Sequence, residues 1–192
     1  MAQRIYTDHG IVLVKEGVGE TSLSALILTG SYGLLRVRAQ GARAGKGKLK
    51  TALEPMTLGE YSFVSGRFGA RLVGAEATEH LLPREMHAGR RALGNIARLL
   101  IRLLPGEESH KELFSSVVEG FTYMREASQE EIAHAECALV LRILRALGYL
   151  PEDPQLIRLT ESSLSPELLA EVAGAKSHLI RTINQALSST GL

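Results

Sequence analysis

From about residue 8 to residue 79, apolar and polar positions alternate in short runs, and glycine falls at almost every break between them (Gly17, Gly19, Gly30, Gly33, Gly41, Gly45, Gly47, Gly66, Gly69). A period of two predicts strands, and glycine at the breaks supplies tight turns and close backbone approaches. Five strands are predicted: Gly10–Val14, Ser22–Leu28, Tyr32–Ala39, Pro55–Val64 and Arg71–Ala77. Five short, strongly bent strands suit a small closed barrel, with a two-sheet sandwich as second choice because it normally needs more strands.

After Pro83 the period changes to 3.6, which predicts a domain boundary near residues 80–84 and helices from there on. Leu93, Ile96, Ala97, Leu100, Ile101 and Leu104 form an apolar stripe, with Arg84, Arg91, Arg98 and Arg102 on the opposite face, and Pro105-Gly106 ends this helix. A second helix carries Leu113, Phe114, Val117, Val118, Phe121 and Met124 inward. Ser128 with Glu131 forms a capping box for a third. That helix is apolar almost all round, from Ala135 through Leu147, before Gly148 and Pro151 stop it, so it belongs at the centre of a bundle. Ser165-Pro166 opens a last helix with Leu168, Leu169, Val172, Leu179, Ile180, Ile183 and Leu187 inward, and a short helix near Gln155–Leu159 bridges the two. The expected domains are a barrel over residues 1–80 and an all-helical domain over 81–192, an α+β chain.

Composition changes this picture little. The 192 residues are 45% hydrophobic and 22% charged, an ordinary globular balance that excludes disordered and fibrous classes. No apolar run reaches the roughly 18 residues of a membrane span. The opening Met1–Ile5 has no secretory-signal character, so a cytoplasmic protein is expected. A single cysteine, Cys137, excludes an internal disulfide and any structural zinc site that needs two thiolates.

Charge changes it more. Between Arg36 and Lys50 lie six basic residues (Arg36, Arg38, Arg43, Lys46, Lys48, Lys50) and no acid, in a chain whose formal net charge is only +1. Arg36 and Arg38 alternate with Leu35 and Val37, so both are expected on one strand face, continuous with a glycine-rich loop that can follow an irregular phosphate backbone. The arginine stripe Arg84, Arg91, Arg98, Arg102 is the secondary candidate track, with an ordinary solvated helix face the favoured reading. There is no tryptophan, and the barrel half offers Tyr6, Tyr32, Tyr61, Phe63 and Phe68, with Tyr61 and Phe63 on one strand face. Binding is therefore expected to be mostly electrostatic, strongly salt-dependent and weakly selective for sequence.

Other chemistry fails on spacing. Gly41 to Lys48 resembles a nucleotide-binding P-loop, but three or five residues separate the relevant glycines where four are needed, and the required Lys-Ser or Lys-Thr is missing. Glu107-x-x-His110 and Glu131-x-x-His134 match the carboxylate–imidazole pair of di-iron bundles, yet no inward mid-helix glutamates accompany them, and they read as helix-start acids with surface histidines. The two aspartates, Asp8 and Asp153, are far apart, which removes the clustered carboxylates of metal-dependent nucleases. Cys137 sits among core residues rather than beside a base. A binder without catalytic, metal or cofactor sites is expected.

Several short runs together resemble the bacterial recombination mediator family RecO. They are Gly10-Ile11-Val12-Leu13, Gly19-Glu20-Thr21, Leu28-Thr29, Gly33-Leu34-Leu35, Ala39-Gln40-Gly41-Ala42-Arg43 and Leu53-Glu54-Pro55-Met56, followed by Glu136-Cys137-Ala138-Leu139 and Leu147-Gly148-Tyr149-Leu150-Pro151. The resemblance implies an OB-fold followed by a helical domain. It also implies binding of single- and double-stranded DNA, annealing of complementary strands, and a non-catalytic role in recombinational repair on the nucleoid. Implied partners are RecR and the acidic C-terminal tail of the single-stranded-DNA-binding protein, with RecA recombinase loaded indirectly. The basic loop matches the family's Gly-Ala-Arg-x-x-Lys stretch, with Gly47 where serine is common. Many members carry a four-cysteine zinc module that this sequence lacks, which makes it a short form; Arg142, Arg145 and Arg158 are the candidates for a tail-binding groove. A protein-interaction adaptor, whose basic loop meets an acidic partner, remains the alternative.

Overall fold

The computed structural model describes residues 4–18, 20, 22–40, 48–66, 69–82, 87–106 and 108–190. Strands β1 (Ile5–Val18), β2 (Ser22–Thr29), β3 (Gly33–Ala39), β4 (Thr57–Gly66) and β5 (Gly69–His80) close into a barrel in the order β1-β2-β3-β5-β4. Helix α1 (Lys48–Ala52) lies between β3 and β4 in sequence. This is the five-stranded OB architecture, and closure disposes of the sandwich.

β1 is much longer than its apolar run Gly10–Val14, because two neighbours share it. Its first half pairs with β4 from Ile5↔Val64 to Ile11↔Leu58, and its second half pairs with β2 from Gly10↔Thr29 to Val18↔Ser22. The polar run Thr7-Asp8-His9 is thus strand as well, satisfied by ladder bonds rather than by burial. Gly10 lies in both ladders, and a Cβ there would sit 2.6 Å from Ile27 Cγ2. The turn of β1 from one neighbour to the other therefore needs a residue without a side chain.

The barrel core is built from the inward residues of every strand, among them Val12, Ile27, Leu35, Val37, Phe63 and Leu72. The end of the expected glycine-rich loop is helical instead: in α1, Leu49 packs on this core and Ala52 is buried, with Leu53 buried just beyond. Tyr61 is fully buried and its hydroxyl donates to Ala52 O (2.8 Å) and Thr57 O (3.2 Å), tying α1 to β4.

By internal contacts the chain forms two compact units, one comprising the barrel through Leu81 together with Leu104–Lys111, the other Leu82–Leu103 with Glu112–Leu192. The segment 104–111, expected as the end of one helix at Pro105-Gly106 and the opening turn of the next, instead straps the β2–β3 turn, and the next helix starts only at Lys111. Leu34 N donates to Gly106 O (3.1 Å) and Ser109 Oγ to Gly30 O (3.2 Å). Gly33 lies beneath it at φ 65, where a Cβ would meet Glu108 O at 2.2 Å. Both the backbone conformation and the space beneath the strap exclude a side chain at this position.

The helical unit contains α2 (His87–Leu103), α3 (Lys111–Glu126), α4 (Gln129–Ala146), α5 (Pro154–Glu161) and α6 (Pro166–Ser189). α4 is the buried helix, with Ile132, Ala135, Ala138, Leu139, Leu141, Ile143 and Leu144 all enclosed. Its Ser128 capping box is complete, and it ends in a Schellman arrangement: Tyr149 N reaches Leu144 O (2.8 Å), Gly148 N reaches Arg145 O (2.9 Å), and Gly148 is at φ 76. One expected core position is wrong. Ile180 is 42% exposed on α6, since adjacent Leu179 takes the inward direction and consecutive helical residues diverge by about 100°. Among the described residues no helix is long and apolar enough to cross a membrane.

Candidate nucleic-acid interface

β3 shows how the barrel sorts its charges. Its residues alternate from Leu35 inward to Arg36 outward, Val37 inward, Arg38 outward and Ala39 inward. The register places Arg38 beside Ser24 on β2 and beside Arg71 on β5, the latter through the short parallel pairing of β3 with β5. Arg71 therefore joins the outward row. Sequence reading missed it, because which strand lies next to β3 is a fact of topology and no local pattern states it. Arg36, Arg38, Ser24 and Glu16 line a shallow depression of 260 Å³ with Ala70 at its edge. Arg36 approaches Glu16 at 3.6 Å with both side chains more than half exposed, a contact worth at most about 1 kcal/mol and readily exchanged for another anion. Arg38 has no acidic partner among the described residues.

Lys50 is exposed on α1. Arg43, Lys46 and Arg84 lie outside the described residues, as does the side chain of Lys48. On α2, Arg91, Arg98 and Arg102 are exposed, together with Arg90, and Arg98 donates to Asn95, whose amide donates to Glu136 (2.8 Å). These arginines belong to the helical unit.

The three arginines considered for a tail groove are engaged within the helical unit. Arg142 is buried, donating to Glu119 (2.8 Å) and to the Ser162 carbonyl, while Glu119 also accepts from Leu164 N (2.7 Å). Arg145 faces Glu161 (3.5 Å), and Arg158 forms a two-pronged pair with Glu171. The Glu171 carboxyl is held below its usual range by those hydrogen bonds.

The residues tested for catalysis have structural duties. Asp8 accepts from His9 N (3.0 Å) and Ser31 N (2.7 Å), fastening the β2–β3 turn to β1. Asp153 caps α5 through Gln155 N and Leu156 N. Glu131 completes the capping box, and its carboxyl is held low by hydrogen bonds from Ser128. Cys137 is buried, which pushes its thiol up to about 11 and leaves little thiolate to act as a nucleophile. Among the described residues no group of three or more His, Cys, Asp or Glu side chains is placed to hold a metal ion. Tyr61 is no stacking platform either: the face it shares with Phe63 is the barrel interior, and burial pushes its phenol well above the ordinary range. Phe68 lies outside the described residues. Tyr6, Tyr32 and Phe63 instead form a three-ring cluster.

Two family models match the chain, "Recombination protein O N terminal" over residues 1–79 and "Recombination protein O C terminal" over residues 73–153. The chain belongs to the RecO family. Among curated relatives, each named DNA repair protein RecO, that of Thermodesulfovibrio yellowstonii is 30% identical over 151 residues, covering 77% of this chain and 59% of the relative. That of Methylococcus capsulatus is 30% identical, covering 76% and 59%, and that of Xanthomonas euvesicatoria 35% identical, covering 74% and 58%. The chain thus spans less than two thirds of the length of these RecO relatives. Most of the RecO-like runs that the structure describes turn out to hold the fold. Gly10 closes the barrel and Gly33 seats the strap. Glu54 pairs with Lys15 (2.6 Å), and Met56, at φ 63, donates to Val12 O (2.7 Å) and accepts from Leu81 N (2.9 Å). The Leu-Gly-Tyr run is the stop of α4.

Proposed function

We propose that this RecO-family chain is a non-catalytic DNA repair protein of the recombinational pathway that binds single- and double-stranded DNA through phosphates and anneals complementary strands. The observation that carries the reading is the outward row on the barrel, where Arg36 and Arg38 on β3 are joined by Arg71 on β5. Phosphate contacts of this kind give affinity without base reading, which suits a protein that must handle any sequence. RecR and the tail of the single-stranded-DNA-binding protein are its partners, RecA is loaded indirectly, and the setting is the nucleoid in the cytoplasm.

The experiment is a salt titration on a single-stranded oligonucleotide and its duplex, comparing the wild type with a chain carrying Arg36→Gln, Arg38→Gln and Lys50→Gln. Loss of three phosphate contacts lowers the slope of log affinity against log salt by about 2 for the single strand and by about 2.7 for the duplex. An unchanged slope overturns the assignment of these residues. A wild-type chain that leaves the annealing rate of complementary oligonucleotides untouched overturns the DNA reading in favour of an adaptor for an acidic protein.

A further inference from the structure

The barrel has an aromatic mouth that phosphate binding does not use. Tyr6 on β1 and Phe63 on β4 are register partners whose rings lie near-parallel, 6.0 Å apart at 18°. Tyr32, in the β2–β3 turn, meets both edge-on at 5.7 and 5.2 Å. Together with Leu35, Gly69 and Ala70 they border a 440 Å³ cavity, in the lower half of the roughly 300–1,000 Å³ range of small-ligand pockets. Phe63 is buried, whereas Tyr6 and Tyr32 are only partly so.

Two features set this cluster apart from ordinary core. The Tyr61 hydroxyl is enclosed and taken up by backbone carbonyls, whereas Tyr6 and Tyr32 are only partly buried and present their rings and hydroxyls at the opening of the cavity. The cluster is also held in place before any ligand arrives. Asp8 fixes Ser31, and the Thr29 hydroxyl donates to Gly33 O (3.0 Å) while accepting from Tyr32 N (3.1 Å), so the turn that carries Tyr32 is braced on both sides.

Positive charge lies near the mouth. The Arg4 guanidinium lies 5.4 Å from the Tyr6 ring centre. Ala70 borders both this cavity and the shallow depression that contains Arg36 and Arg38, and it pairs with Val37 one register step from Arg38↔Arg71. A ligand with a flat ring on one side of Ala70 and an anionic group on the other would satisfy both. A nucleotide within a strand has that form, and aromatic faces accept any base because every base has a π-face.

We infer that the mouth formed by Tyr6, Tyr32 and Phe63 accepts one unstacked base of a single strand whose phosphates lie along Arg36 and Arg38. This rests on the reading of the barrel as a nucleic-acid binder and adds a term to it. The phosphate row responds to salt and ignores the base; the mouth responds to the base and ignores salt.

The test uses a thymidine oligonucleotide and an abasic sugar-phosphate strand of equal length and charge, at one fixed salt concentration. The wild-type chain should prefer the strand with bases by roughly five- to a hundred-fold, the range that stacking of one base on an aromatic side chain supplies. Tyr32→Leu should remove most of that preference while leaving abasic affinity and salt slope as they were, and Tyr32→Phe should keep it. Because the chain has no tryptophan, its intrinsic emission comes from tyrosine, so the thymidine strand should quench the wild-type emission and the abasic strand should not. A wild-type chain that binds both strands equally overturns the base-accepting mouth and leaves the phosphate reading standing. Salt-dependent binding of neither strand overturns the DNA reading itself.

Discussion

Replacing Arg142 by methionine removes a guanidinium that joins three parts of the helical unit while keeping an apolar stem of similar reach. Arg142 donates from α4 to Glu119 on α3 and to the Ser162 carbonyl at the end of α5, and Glu119 also holds Leu164 N ahead of α6. Two charge-assisted bonds at about 1.5–3 kcal/mol each set a gross loss of about 3–6 kcal/mol. Against it stands the relief of one cost, because Nε of Arg142 is buried with no hydrogen-bond partner, and an unmet donor costs about 1–3 kcal/mol. The Glu119 side chain is 41% exposed, so water partly replaces its lost partner and the estimate moves to the lower side. A net destabilisation of about 2–3 kcal/mol follows, which in urea, at about 1–3 kcal/mol per molar, lowers the unfolding midpoint by roughly 1 M. Far-UV circular dichroism measures it, since the helical unit supplies most of the signal. A cycle with Glu119→Gln should return a coupling of about 1–2 kcal/mol between the two residues. An unchanged midpoint refutes the reasoning, above all if the variant lost affinity for a protein partner instead, because Arg142 would then be a ligand contact rather than a brace.

Gly33→Ala should free the strap, since left-handed backbone costs about 1–2 kcal/mol for alanine and the clash with Glu108 O adds about 1–3 more; limited proteolysis within 104–111 should accelerate. Tyr61→Phe should cost about 1–2 kcal/mol for its lost bonds to Ala52 and Thr57. The raised phenol of Tyr61 also makes folded stability fall as pH rises above about 10, because the unfolded chain ionises there and the folded one does not; the variant, followed by urea titration at alkaline pH, should lose that slope. Glu131→Gln should reduce stability above the ordinary glutamate value of about 4.3, where the lowered carboxyl of the capping box is charged in both states and better held in the folded one. The gap from wild type should close as pH falls through the lowered value, and a gap that persists in acid would count against the cap.

What could be read from residue order was whatever a local period or a cap dictates. Arg36 and Arg38 point outward because Leu35 and Val37 must point in, and Ser128, Ser165 and Gly148 act as punctuation wherever they stand. Faces whose direction depends on a distant partner were another matter. Tyr61 and Phe63 share a face by alternation, but only barrel closure makes that face the interior. Thr7, Asp8 and His9 are strand because β4 lies beside them, and Arg71 joins the basic row because β5 runs parallel to β3. α1 was hidden by its length, since a helix of five residues has no period to show and is held by Leu49 and Ala52 packing on the barrel. The strap was half legible: Pro105-Gly106 announced the stop of α2, and nothing local said where the chain would go next.

That strap has a consequence for the order of synthesis. The last strand of the barrel ends at His80, yet the carbonyl and the hydroxyl that finish the β2–β3 turn belong to Gly106 and Ser109. The nascent chain must therefore extend through all of α2 before the strap can cover this turn. At roughly 5–20 residues per second the turn waits for about 2–6 seconds after the last strand is made, with Gly33 uncovered and Leu34 N without its strap partner. Slow codons between residues 81 and 111 would lengthen that interval.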